Sequence, residues 1–147
     1  MQETAAAFAE ELGHEHASLL KQLEELETMT AGSTVSAAGV LIESLRAVRA
    51  ALHRHFLFEE KGGYMNHVLA NAPQLHRRTE ELLAEHTHIG RSVEELIGNA
   101  AAASPGAPIS AEVCEQVRQW VKLVRGHEAG ENKLVMEACC GDIGEED

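Results

Sequence analysis

The stretch His55-Phe56-Leu57-Phe58-Glu59 and its counterpart His127-Glu128-Ala129-Gly130-Glu131 each carry a His-x-x-x-Glu pair. A histidine and a glutamate four residues apart lie on one face of a helix, one turn apart. Reading backwards from His55 at helical spacing gives Leu52, Val48, Leu45 and Leu41; from His127 it gives Val124, Trp120, Val117 and Val113. Both pairs therefore stand on apolar stripes, and the two series superimpose with an offset of 72 residues. Unpaired charge in an apolar interior is costly, and a metal centre is the simplest arrangement that makes these groups tolerable.

Working outward, four long helical patterns appear. The first spans about Glu3 to Met29 with the stripe Phe8, Leu12, His16, Leu19, Leu23, Leu26, and Thr30-Ala31-Gly32-Ser33 breaks it. The second spans about Val35 to Lys61 and stops at Gly62-Gly63. Tyr64 to Ala70 reads as a short helical turn. Pro73 suits the first turn of a third helix reaching Ala103, with the stripe Leu75, Leu82, His86, Ile89, Val93, Leu96. Ser104-Pro105-Gly106-Ala107-Pro108 is a loop, and Ser110 is the expected N-cap of a fourth helix ending near Cys140-Gly141. Short connections make neighbouring helices antiparallel. The expected fold is all-α, an up-down-up-down four-helix bundle over residues 1–141, followed by a disordered acidic tail, 142–147.

The first and third helices also match, Glu15-His16 against Glu85-His86, with an offset of 70 residues. The chain reads as two similar helical hairpins related by a pseudo-twofold. Each brings one lone histidine and one His-x-x-x-Glu. The expected metal ligands are His16, His55, Glu59, His86, His127 and Glu131. His14, His53 and His88 lie two residues from a stripe histidine, roughly 200° around the helix, and are expected to face solvent, as are His67 and His76. Glu60 and Glu128 are rotated roughly 100° from the inward line; they read as solvated acids, with the option of supporting the ligands from outside them. Glu15 and Glu85 flank the stripes; they read as helix-surface charges, with the option of orienting a ligand histidine through its second nitrogen. Tyr64 reads as a packing residue, with a weak ligand or donor over the site as the alternative, and Cys139-Cys140 as structural, with a redox pair as the alternative.

Composition narrows the function. The 147 residues include 24 acidic and 12 basic side chains, a formal charge of −12, which argues against nucleic acid or an anionic membrane as partner. Nine histidines are several times the usual share. The N-terminus lacks the pattern of a signal peptide, no segment is long enough to span a bilayer, and three cysteines form no disulfide framework, so a cytoplasmic protein is expected. Nitrogen and oxygen donors without cysteine suit iron or manganese, with zinc also compatible. Two imidazoles for each of two metals, with glutamates between them, suit a dinuclear centre able to bind dioxygen, nitric oxide or peroxide.

The order His16, His55-x-x-x-Glu59, His86, His127-x-x-x-Glu131 resembles the hemerythrin-like, HHE cation-binding, family from about Glu11 to Met136. The resemblance implies a four-helix bundle around a non-haem diiron site with an oxo or hydroxo bridge. It also implies a role in binding or sensing oxygen or iron, or in repairing damaged iron centres. Respiratory hemerythrins carry a further histidine four residues before the one at His86; here that position is Leu82. They also usually end on HxxxxD, where this chain has HxxxE. The symmetric set looks more like the Repair of Iron Centres proteins and the F-box hemerythrin domain, and it weighs against reversible oxygen carriage. Competing readings are a diiron enzyme (peroxidase, nitric oxide reductase or iron-centre repair) and a metal-free helical interaction module. A ferritin-like protein built on Glu11-x-x-His14 and Glu85-x-x-His88 is disfavoured because both histidines leave the apolar stripes.

Overall fold

The computed structural model describes residues 2–31, 37–61, 70 and 72–139. It contains α1 (Gln2–Met29), α2 (Ala38–Lys61), a 3-10 turn (Pro73–Leu75), α3 (His76–Ala101) and α4 (Ala111–Cys139). Gly62-Gly63, Tyr64, His67, Cys140 and the acidic tail 142–147 lie outside the described residues, as do the side chains of Phe8, Leu12, Glu15 and Cys139.

Apolar residues at three- and four-residue spacing give each helix one stripe to bury, and four such helices satisfy one another around a common axis. Consecutive helices pack together, and α1 closes the ring against α4. Contacts between helices fix their directions. Arg118 donates to the Thr30 carbonyl while Glu27 pairs with Arg125 and His16 with Glu128, so α1 and α4 run antiparallel. Arg49–Glu94 and Glu60–His86 show the same for α2 and α3, and Asn99–Gln116 and Glu85–His127 for α3 and α4. The result is the all-α up-down-up-down bundle that the stripes imply.

Two helix starts differ from the simple spacing. The second helix begins at Ala38 because the α3–α4 loop captures its first turn. Ala38 N–H donates to the Ala107 carbonyl at 2.8 Å and Gly39 N–H to the Pro105 carbonyl at 2.9 Å. Gly39 suits this close approach, because an added Cβ would lie 3.1 Å from the Pro105 oxygen and crowd it. The third helix opens with a 3-10 turn at Pro73 before the α-helix proper begins at His76. Ser110 caps α4 as its type predicts, its hydroxyl accepting from Val113 N–H at 3.1 Å. Thr30 turns its hydroxyl back onto the Leu26 carbonyl at the end of α1.

The core is in two parts. The larger includes Leu19, Leu23, Leu26, Leu41, Leu45, Val48, Leu52, Ile89, Val93, Leu96, Val117, Trp120 and Val124. Trp120 donates its indole N–H to the Ile89 carbonyl at 3.3 Å. The smaller centres on Leu82 and Leu134. On α3, His86 falls between Leu82 and Ile89; on α4, His127 and Glu131 fall between Val124 and Leu134. A polar layer is thus sandwiched between apolar ones. Among the described residues no helix is long and apolar enough to cross a membrane.

Leu45 is fully buried in the larger core. Leu45→Ala is expected to cost about 2–5 kcal/mol through lost burial and a residual cavity, and Ser110→Ala about 1 kcal/mol through the lost cap. Urea denaturation of the two variants would rank them in that order.

Candidate metal centre

Each helix contributes to the polar layer from its apolar stripe. His16, His55, Glu59, His86, His127 and Glu131 are all buried, Glu59 and Glu131 completely. His14, His53, His76 and His88 are exposed, so the helical angle separates inward from outward histidines as expected.

The six inward groups meet in two clusters that share Glu131, and a seventh joins them. His16, His55, Glu128 and Glu131 form one; Glu59, His86, His127 and Glu131 form the other, with the potential ligand atoms in each within 4.8 Å of one another. The two imidazole pairs repeat the pseudo-twofold: His16 and His55 have ring centroids 4.9 Å apart, as do His86 and His127.

Glu131 divides its oxygens between the two pairs. Oε1 faces Nε2 of His16 at 3.5 Å and of His55 at 3.4 Å. Oε2 faces Nε2 of His86 at 3.4 Å and of His127 at 3.2 Å. Glu59 does likewise, with Oε2 3.4 Å from His55 Nε2 and Oε1 3.1 Å from His86 Nε2. Both carboxylates span the two ends of the layer.

Glu128 corrects the sequence expectation of a solvated acid. It is buried, with Oε1 3.0 Å from His16 Nε2 and 3.5 Å from His55 Nε2. The reason is angular. With roughly 100° per residue, His127 and Glu128 lie roughly 40° and 60° to either side of Glu131. Helix α4 packs against both α3 and α1, so His127 leans towards α3 and Glu128 towards α1, and both are inside. A single inward line per helix misses this; the signal available was Glu128's place between two neighbouring helices.

Outer carboxylates orient two of the imidazoles. Glu60 Oε2 lies 2.7 Å from His86 Nδ1, and Glu85 Oε1 lies 2.7 Å from His127 Nδ1. An ionised carboxylate only accepts, so each Nδ1–H donates and each Nε2 is left pointing inward. Glu60 and Glu85 are partly exposed, and each makes the orienting contact that the sequence left as its second option rather than acting as a surface charge alone. Glu85 serves the histidine of the next helix rather than its own neighbour His86.

The inner atoms suit a cation. Both oxygens of Glu59 and of Glu128, and Nε2 of His16 and His127, are buried without a hydrogen bond. Each unsatisfied buried group costs about 1–3 kcal/mol, and converging lone pairs at these positions are the donor set of a nitrogen–oxygen metal site. The electrostatics agree. Burial raises the Glu131 carboxyl, but the four imidazoles that face it outweigh burial and hold the group far below its ordinary range. Burial, reinforced by Glu131, pushes Glu59 up to about 12. Burial lowers His16 and His55, yet Glu128 and Glu131 together raise each to about 9.

Residues 7–139 match the family model described as the hemerythrin HHE cation binding domain, a span that includes every residue of both clusters. No curated protein and no solved structure matches the chain.

These shifts set the pH response of the metal-free protein. His16 and His55 have folded values raised from 6.5 to about 9. Their stabilisation is complete below pH 6.5 and lost as pH rises through 9. Glu59, raised from 4.5 to about 12, acts in the same direction because the unfolded chain sheds its proton first. The melting temperature of chelator-treated protein is therefore expected to fall between pH 6.5 and 9. A flat profile would contradict the facing of these imidazoles onto Glu128 and Glu131.

Proposed function

Because the chain belongs to the hemerythrin HHE cation-binding family, we propose that it holds two iron ions in the polar layer and binds or senses dioxygen, nitric oxide or peroxide there. The observation that carries this reading is Glu131, one oxygen facing each imidazole pair from a fully buried position. A carboxylate so placed serves two cations better than one. His16, His55 and Glu128 would hold one ion, His86 and His127 the other, with Glu59 and Glu131 between them. The absence of cysteine from the cluster favours iron or manganese over a thiolate-selected metal. Two ferrous ions supply electrons that a small oxidising ligand accepts.

The protein's own residues supply the rest. The apolar layers on both sides exclude water and keep the imidazoles at fixed depth. Glu60 and Glu85 hold His86 and His127 in the tautomer that presents Nε2 inward. His16 and His55 must give up protons when a cation arrives, so loading releases protons and strengthens as pH rises towards 9. A formal charge of −12 supports a small neutral ligand rather than nucleic acid or an anionic membrane.

Metal analysis of freshly purified protein, with optical spectra before and after air, nitric oxide or peroxide, tests this reading. Two irons per chain and a spectrum that responds to these ligands are expected. Sustained turnover of peroxide or nitric oxide would make the protein an enzyme rather than a binder or sensor. His55→Ala or Glu59→Ala is expected to lower the content to about one ion or fewer, and His14→Ala or His88→Ala to leave it unchanged. Metal-free protein that takes up no iron on reconstitution would refute the proposal.

A further inference from the structure

The pseudo-twofold is not exact around the layer. The 72-residue offset maps Phe56 onto Glu128: Glu128 brings a carboxylate to His16, whereas the Phe56 ring stacks on His86 with centroids 3.7 Å apart. A second departure involves two positions at once. The 70-residue offset maps Phe8 onto Arg78, and the 72-residue offset maps Phe58 onto Gly130. One half of the sequence carries phenylalanine at both positions. The other carries a long cation at one and no side chain at the other.

Arg78 and Gly130 meet across the α3–α4 interface. A Cβ added at Gly130 would lie 2.6 Å from Arg78 Nη2, so the guanidinium occupies space that any other residue of α4 would fill there. From this seat Arg78 Nη1 lies 3.3 Å from Glu81 Oε1 and 3.8 Å from Glu85 Oε2. The other oxygen of Glu85 lies 2.7 Å from His127 Nδ1, and His127 Nε2 faces Glu131 Oε2 at 3.2 Å. A line of contacts thus runs from a half-buried guanidinium to the fully buried carboxylate. An exposed arginine–glutamate pair by itself holds little. Here the α4 backbone limits where the guanidinium can go, and two carboxylates on α3 draw it from the side. Pairing with Glu81 alone, three residues along the same helix, would need no glycine on another helix.

We propose that Arg78, seated on Gly130, is a positioning residue: it holds the Glu85 carboxylate on His127 Nδ1 and so fixes the ring that turns Nε2 towards the layer. A cation held by His127 is then retained more firmly, a consequence that rests on the dinuclear reading above. The positioning of the ring does not rest on it.

Two measurements test the assignment. In the metal-free full chain, nitrogen-15 NMR follows exchange of the imidazole N–H protons, with His86 as internal reference because Glu60 orients it. Arg78→Met is expected to speed exchange of the His127 Nδ1 proton about tenfold, the effect of losing a charge-assisted hydrogen bond, and to leave His86 unchanged. Arg78→Lys keeps the positive charge and is expected to stay closer to wild type. Gly130→Ala takes the guanidinium's seat and is expected to speed His127 exchange as Arg78→Met does, although alanine is the better helix former. In the ferrous-loaded protein, a chelator is expected to remove one of the two irons about tenfold faster from Arg78→Met than from wild type. Unchanged His127 exchange in Arg78→Met, or equal acceleration at His127 and His86, would overturn the inference and leave the dinuclear reading standing. Should Arg78→Met fail to fold, unchanged His127 exchange in Gly130→Ala would overturn it equally. A wild-type chain that loads no iron would refute the dinuclear reading, and imidazole exchange would still decide the role of Arg78.

Discussion

The burial of the Glu131 carboxylate among four imidazoles is the interaction on which the rest of this structure depends. A lone carboxylate at that depth would be prohibitively costly. The imidazoles of His16, His55, His86 and His127, all facing it, hold it ionised against burial. Each imidazole comes from a different helix, so the charge can be satisfied only when all four helices are assembled. The same arrangement makes the Glu131 oxygens a divided pair, one for each side of the layer. Burial, satisfaction and the proposed metal chemistry are consequences of a single placement.

Around that placement the bundle separates two tasks. The larger apolar core packs one side of the layer and the Leu82–Leu134 cluster the other. Apolar packing supplies stability without regard to direction, whereas the polar layer specifies register. A helix slipped by one residue would turn Glu131 out and leave the opposing imidazoles facing hydrocarbon. The outer carboxylates Glu60 and Glu85 extend the network to the surface and fix the orientation of His86 and His127. Among the described residues, which do not include the Glu15 side chain, the buried His55 Nδ1 has no hydrogen-bond partner. There the additional negative charge comes from within, from Glu128.

Much of this was legible in the sequence, for a definite reason. Helical periodicity is local, so the stripes through Leu41–Glu59 and Val113–Glu131 identify inward positions without knowledge of the fold. The same angle sends His14, His53 and His88 outward, and the structure exposes all three. The six inward residues meet because four amphipathic helices joined by short connections have essentially one way to pack. The start of α2 was less legible, because the loop carbonyls of Pro105 and Ala107 that cap it lie far along the chain.

The sequence by itself determined the four helices, their apolar faces, the pseudo-twofold and the convergence of His16, His55, Glu59, His86, His127 and Glu131. Only the tertiary structure decided the roles of Glu128, Glu60, Glu85 and Phe56. Each lies to one side of its helix's inward line, where a helical wheel does not tell core from surface. What settles the matter is which neighbour occupies that flank. For Glu128 it is His16 on α1; for Phe56 and Glu60 it is His86 on α3; for Glu85 it is His127 on α4. Such pairings depend on how helices distant in sequence are set against one another, and periodicity along one helix carries no information about that.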